Sequence, residues 1–223
     1  MTKRISWTAG AVLAALIGAL SGGAAVAHPH VWIDARSKVL FDGAQRVSAL
    51  RISWRFDEFY SLFAIEGLDK NGDGTLEAEE LRPLADLNIT NLKEYRYFTQ
   101  VTVDGAEATY GEVTDYVSTF EDGILALDFV LPLKDPIDPR LAKVSFKSYD
   151  PTFYIAIEPP LKDPVSFAGD PPPLCHVVEV AGESGETLTL FEADFLDPDA
   201  NQGLGALYAT EFVIACQEPE AIQ

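Results

Sequence analysis

Arg46-Val47-Ser48-Ala49-Leu50-Arg51-Ile52-Ser53-Trp54-Arg55-Phe56-Asp57-Glu58-Phe59-Tyr60-Ser61-Leu62-Phe63 carries two periods in one stretch. Leu50, Ile52, Trp54 and Phe56 alternate with Arg51, Ser53 and Arg55, the pattern of a strand with one buried face. Val47 and Ala49 fall in the opposite phase, which predicts a bulge or change of face near Ala49-Leu50. From Asp57 the period changes, and Phe59, Leu62 and Phe63 follow helical spacing. A strand running directly into a short helix predicts an α+β protein in which helices interrupt a β scaffold.

That helix leads into Asp69-Lys70-Asn71-Gly72-Asp73-Gly74-Thr75-Leu76-Glu77-Ala78-Glu79-Glu80, which fits the twelve-position calcium loop of an EF-hand. Asp69, Asn71 and Asp73 occupy positions one, three and five, where side-chain oxygens converge on a cation. Gly74 stands at the sharp turn of position six. Thr75 offers a backbone carbonyl, Glu77 reaches the ion directly or through water, and Glu80 supplies the closing bidentate carboxylate. A set made only of oxygens suits Ca²⁺, a hard ion that takes about 6–8 of them. The exit helix is expected to start near Glu77 and to carry Leu81, Leu84 and Leu87, with a kink or restart at Pro83. The helical insertion spans residues 57–98 by this reading.

Around it the chain reads as strands. Val31 to Phe41 precedes Asp42-Gly43 turn chemistry. Asp104-Gly105 divides Gln100–Val103 from Ala106–Tyr110 as a hairpin, and Glu121-Asp122-Gly123 joins Thr114–Phe120 to Ile124–Leu131. Lys143–Tyr149, Phe153–Ile157, His176–Val180, Thr187–Phe191 and Glu211–Cys216 follow. Six prolines between Ile157 and His176 make that segment a connecting loop. Many short strands with regular turns predict a mainly antiparallel β sandwich or partly open barrel.

Lys3 and Arg4, the apolar run from Ala9 to Leu20 and the small residues Ala25-Val26-Ala27 form an export signal, residues 1–27, cleaved after Ala27. Its apolar run is too short for a stable membrane span, which takes about 20 residues, and no later segment is long and apolar enough. The rest, 28–223, is expected to be a single periplasmic domain. Sixteen bases stand against 35 acids, a net charge of −19; loss of Lys3 and Arg4 takes it to −21. Such a surface repels nucleic acid and anionic lipid and attracts cations. The two cysteines, Cys175 and Cys216, read as a disulfide in an oxidising compartment, a cross-link that stabilises by roughly 4 kcal/mol in the chain-entropy account. A thiolate metal site with neighbouring His176 is the alternative.

Three histidines occur, His28, His30 and His176. Cleavage after Ala27 gives His28 a free α-amine beside its imidazole, a pair able to chelate a transition metal. His30 shares a face with His28 along an extended strand, and His176 can add a third nitrogen. Imidazole suits Zn²⁺, Ni²⁺, Co²⁺ or Cu²⁺. Pro29 blocks binding through deprotonated backbone amides, because it has no amide hydrogen. The contrasting reading is a solvated terminus with incidental histidines.

The start His28-Pro29-His30-Val31-Trp32-Ile33-Asp34 resembles the opening of a family of bacterial periplasmic proteins catalogued as a domain of unknown function and often labelled the periplasmic component of an uncharacterised ABC-type transport system. Trp54-Arg55-Phe56-Asp57-Glu58-Phe59-Tyr60, the stretch from Gly67 to Leu81, and Tyr149-Asp150-Pro151-Thr152-Phe153-Tyr154 carry the same resemblance. It implies an accessory role beside an inner-membrane permease for nickel, cobalt or zinc, and it transfers no catalytic residues.

The expected function is therefore a periplasmic divalent-metal-binding accessory protein with a structural calcium loop. A calcium-dependent protein-interaction module is the alternative, and a copper enzyme using the amino-terminal histidine is a more distant one. The sequence has no local Ser/His/Asp motif, phosphate-binding glycine loop or HExxH helix, so it is not expected to be a hydrolase, kinase or metalloprotease.

Overall fold

The computed structural model describes residues 29–182 and 204–216. The expected strand Thr187–Phe191, the expected leader 1–27 and His28 lie outside them. Two sheets form the scaffold and neither closes into a barrel. The first has the order β5-β6-β2-β1-β8, with β9 also paired to β1. Its strands are β1 (Val31–Phe41), β2 (Val47–Phe56), β5 (Tyr116–Glu121), β6 (Ile124–Ile137), β8 (Ile155–Glu158) and β9 (Val165–Ala168). The second has the order β10-β11-β7-β3-β4, built from β3 (Thr99–Val103), β4 (Ala106–Glu107), β7 (Val144–Ser148), β10 (His176–Val180) and β11 (Glu211–Ala215). One core cluster takes side chains from both sheets, among them Ile52, Trp54, Phe129, Val101, Phe146 and Ile214.

β2 behaves as its alternation predicts, with Leu50, Ile52, Trp54 and Phe56 buried. The change of phase is an irregularity between Val47 and Ala49, where the pairing with β6 jumps from Ile137 to Pro132. The extra residues there lie on β6, whereas against β1 Ser48 is the extra residue between the Leu40–Ala49 and Phe41–Val47 pairs; beyond the step the consecutive Ala49 and Leu50 are both buried. The two expected hairpins form as β3–β4 and β5–β6.

Three features differ from expectation. The Pro-rich segment contains strand β9, which pairs parallel with Ser37–Leu40 of β1. It lies at a sheet edge between Pro164 and Pro171, where proline is tolerated because the missing donor faces away from the ladder. β1 also pairs parallel with β8, so this edge of the first sheet is not antiparallel. A five-residue helix, α3 (Leu204–Tyr208), joins the scaffold late in the chain. Gly205 makes that possible: a Cβ there would sit 1.9 Å from the Asp150 carbonyl oxygen.

The insertion consists of α1 (Glu58–Ala64), a loop, α2 (Ala78–Leu92) and a 3₁₀ turn at Arg96–Phe98. α2 runs through Pro83 as one helix. Its buried stripe is Leu81, Ala85, Ile89 and Leu92, spaced at one turn, while Leu87 is 56% exposed. α1 is attached by a polar bolt together with Tyr60 and Ala64, which pack against the core. Ser61 is fully buried; its hydroxyl donates to the Asp57 carbonyl at 2.6 Å and accepts from the Leu125 N–H at 3.0 Å. Phe59, Leu62 and Phe63 face solvent, at 88%, 53% and 75% exposure.

Candidate metal centre

Asp57 caps α1. One carboxylate oxygen accepts from the Tyr60 N–H at 2.9 Å, and the other accepts from the Trp32 N–H at 3.0 Å. The Asp57 N–H in turn donates to the Trp32 carbonyl at 2.9 Å. One side chain thereby starts the helix and clamps it to the first turn of β1.

The loop beyond α1 is folded around its own acidic side chains. Asp69 accepts from Gly72 N–H at 2.7 Å through one oxygen and from Gly74 N–H at 3.0 Å through the other. The Asn71 oxygen accepts from Asp73 N–H at 2.9 Å, and Asp73 accepts from the Thr75 N–H and hydroxyl at 2.8 and 2.7 Å. The Thr75 hydroxyl also contacts Glu77 at 2.9 Å. Gly74 has φ +82° with open space around it, so backbone conformation alone calls for glycine there. Glu80 closes the loop: its carboxylate accepts from Lys70, Asn71 and Glu77 N–H groups at 2.8, 3.3 and 3.4 Å. These bonds hold the Glu80 carboxyl below its ordinary range, the Lys70 N–H contributing most, and the Thr75 hydroxyl does the same for Asp73.

The donor set fits a hard cation in chemistry. Each carboxylate oxygen has two lone pairs, so an oxygen that accepts one N–H keeps a second for a metal. The arrangement is nonetheless self-satisfied. Among the described residues no three His, Cys, Asp or Glu side chains are gathered into a ready metal cluster. Asp69, Asn71, Asp73, Thr75, Glu77 and Glu80 are brought into one turn, but their oxygens are held by the loop's own backbone.

The nitrogen ligands are spread further. His28 lies outside the described residues. His30 packs against Tyr154 with the rings tilted and their centroids 4.7 Å apart, and its backbone N–H donates to the Tyr154 carbonyl at 2.9 Å. His176 begins β10, at the edge of the other sheet, with Nδ1 3.2 Å from the Leu174 carbonyl. Cys175 and Cys216 form the disulfide, extending the β10–β11 ladder by one step beyond the His176–Ala215 pair. Those sulfurs are therefore not metal thiolates. Asp150, 5% exposed, spends its carboxylate on Thr152 and on the Ile155 N–H at 3.0 Å; it shapes the turn that delivers β8.

Two signals escape sequence reading. Trp54 and Asn88 look like an ordinary core residue and a helix surface residue, yet each holds a buried nitrogen without a partner, Trp54 Nε1 and Asn88 Nδ2. Both line the same cleft.

No helix among the described residues is long and apolar enough to cross a membrane. The chain is 22% identical over 206 residues to an uncharacterized protein of Haemophilus influenzae, covering 91% of this chain and 97% of that one. It is 30% identical over 86 residues to an uncharacterized 15.5 kDa protein in the trpE 3′ region of Spirochaeta aurantia, covering 39% of this chain and 61% of the spirochaete protein. Residues 13–216 match one family over nearly the whole length, and the chain belongs to that family, described as protein of unknown function (DUF1007).

Proposed function

We propose that this chain is a periplasmic divalent-metal-binding accessory protein, with Ca²⁺ held by the loop from Asp69 to Glu80 and a transition ion held by the amino-terminal histidines for an inner-membrane nickel, cobalt or zinc permease. The calcium part is supported by the sequence spacing of the loop and by the hydrogen bonds in which Asp69, Asn71, Asp73 and Glu80 accept from backbone N–H groups within the same twelve residues. Asp69, Asn71, Asp73, Glu77 and Glu80 would hold the ion with the Thr75 carbonyl. A lone loop of this kind binds at about 10⁻⁴–10⁻³ M, as extracellular modules do. Support for export comes from the leader and the Cys175–Cys216 disulfide, a bond typical of oxidising compartments.

The transition-metal part rests on His28, with His30 close by in sequence and His176 as a further nitrogen. When His176 Nδ1 donates to the Leu174 carbonyl, Nε2 is the nitrogen that carries a lone pair for an ion. Calorimetry on protein beginning at His28 tests this part: Zn²⁺, Ni²⁺, Co²⁺ and Cu²⁺ are titrated with Ca²⁺ saturating. Tight one-to-one binding that His28→Ala with His30→Ala abolishes is the expected result. Equal weak binding by both proteins overturns it. Calcium titration of the Glu80→Gln protein tests the loop separately; unchanged affinity overturns the calcium assignment.

The exposed Phe59, Leu62 and Phe63 favour a second reading, a calcium-dependent protein-interaction module. Single exposed apolar residues are ordinary, but three on one short helix next to an ion loop make a docking face. Under this reading the histidine substitutions leave partner binding unchanged and Glu80→Gln weakens it.

A further inference from the structure

A cleft of about 170 Å³ opens between the inner face of the first sheet and the helical insertion. Its apolar walls come from β1, β2, β6 and β8, with Tyr60 of α1, Asn88 and Leu92 of α2, and Phe98 at one end. Trp54 is 2% exposed, and its rings are packed by Phe98 at 6.5 Å and Phe129 at 5.4 Å. Trp54 and Asn88 both line the cleft, and each keeps a buried donor with no acceptor, the indole Nε1 and the amide Nδ2. A donor buried without an acceptor loses its hydration uncompensated, so two such residues on one cleft suit a guest carrying an acceptor.

The backbone adds an independent sign. Arg96, Tyr97 and Phe98 all have positive φ, +53°, +58° and +46°. Three consecutive left-handed residues that are not glycine are strained, and such strain persists where the surroundings enforce a particular placement. Here it sets Phe98 against Trp54 at the cleft. Arg96 anchors the turn by donating to the Ala108 carbonyl at 2.9 Å and lying 5.0 Å over the Tyr110 ring.

We infer that this cleft binds a small neutral molecule of one flat ring bearing a carbonyl, the ring stacked among Trp54, Phe98 and Tyr60 and the oxygen accepting from Trp54 Nε1 and Asn88 Nδ2. The size fits, because an engineered apolar cavity of about 150 Å³ takes benzene. Charge fits as well. No Lys or Arg lines the cleft, and the whole chain is strongly negative, so an anion is disfavoured. No Asp or Glu lines it either, which removes the partner a cation would need. This binding site is separate from the metal reading and stands if that reading fails.

The probe pair is acetophenone and α-methylstyrene, which differ by a carbonyl oxygen against a methylene of similar shape. The Trp54 indole N–H resonance is followed by NMR in a Trp32→Phe background without calcium. Acetophenone is expected to move that resonance downfield at saturation and to bind about tenfold tighter than α-methylstyrene, the worth of one good hydrogen bond. Asn88→Leu keeps the number and branching of side-chain heavy atoms while removing the amide, and is expected to reduce the affinity ratio of acetophenone to α-methylstyrene to about threefold or less. Equal binding of the two probes, binding of neither (a cleft that holds only water), or a preference untouched by Asn88→Leu overturns the proposal.

Discussion

Ser61→Ala removes one oxygen from the only fully buried position of α1. Its hydroxyl fills two roles at once. It donates to Asp57 within the helix start, and it accepts the Leu125 N–H, 64 residues away, just past the last rung that joins β2 to β6 at Arg55–Ala126. Leu125 is fully buried, so water cannot reach the abandoned N–H. A lone buried donor costs about 1–3 kcal/mol, and loss of the bond to Asp57 adds little because that carbonyl still accepts the Ser61 N–H at 2.9 Å. The expected destabilisation is about 2 kcal/mol, a fall in Tm of about 4–8 °C for a chain of this size. Urea unfolding followed by far-UV circular dichroism measures it, with m unchanged if the folded state stays intact. Tyr60 and Ala64 keep α1 packed on the core, so the change is read as lost stability rather than as a detached helix. A loss under about 0.5 kcal/mol, the usual range for surface changes, would show that the polar bolt is not what holds the helix.

Replacing Cys175 and Cys216 together by Ala is expected to cost about 4 kcal/mol in the chain-entropy account, read as a lower urea midpoint; an unchanged midpoint refutes it. Leu81→Ala is expected to cost about 2–5 kcal/mol as a cavity in the core, whereas Leu87→Ala stays within about 0.5 kcal/mol; similar losses would place the buried stripe of α2 wrongly. The acid side of the stability profile should report the loop. Asp73 and Glu80 have folded values below their ordinary 3.8 and 4.5. Their contribution is therefore complete above about pH 4.5 and disappears as the pH falls through the folded values. The Lys70 N–H shift in NMR follows Glu80; a midpoint at or above 4.5 contradicts the hydrogen-bonded loop.

Periodicity made the strands legible where one face is buried throughout. β2 declared itself by Leu50, Ile52, Trp54 and Phe56, and even its irregular step at Ser48 left a trace in the phase of Val47 and Ala49. The same logic misplaced Leu87, since the choice between Leu87 and Ala85 depends on which side of α2 meets the sheet, and alanine is a weak hydrophobic signal. It also misled on α1, where helical spacing of Phe59, Leu62 and Phe63 is real but the buried contact is Ser61. A polar bolt has no periodicity to read. β9 was hidden by flanking prolines because its ladder partner, β1, is more than a hundred residues away. The loop side chains were legible because position and residue type are local. The unpaired nitrogens of Trp54 and Asn88 were not, because whether a donor finds an acceptor is decided only by packing between distant elements.

Asp57, the proposed calcium loop and the cleft share structural elements, and the proposed affinity bounds how far calcium would act on the cleft. Asp57 ties the start of β1, two residues from His30, to the helix that enters the loop. The helix that leaves the loop carries Asn88, and the one that enters carries Tyr60, so both ends of the loop reach the cleft wall. An ion with a dissociation constant of about 10⁻⁴–10⁻³ M, supplied at about 1 mM, stabilises the state it prefers by about 0.4–1.4 kcal/mol. Where the ion binds the probe-bound state within the same range, linkage makes the same quantity the ceiling on the change in affinity at the cleft. Acetophenone affinity measured by NMR with and without about 1 mM calcium is thus expected to differ by no more than about tenfold. A larger change would require calcium to bind well below 10⁻⁴ M, and so would refute the weak lone-loop assignment rather than the cleft. No change at all would mean that the Glu80 clamp, with its three backbone N–H donors, already holds both helices in place without an ion.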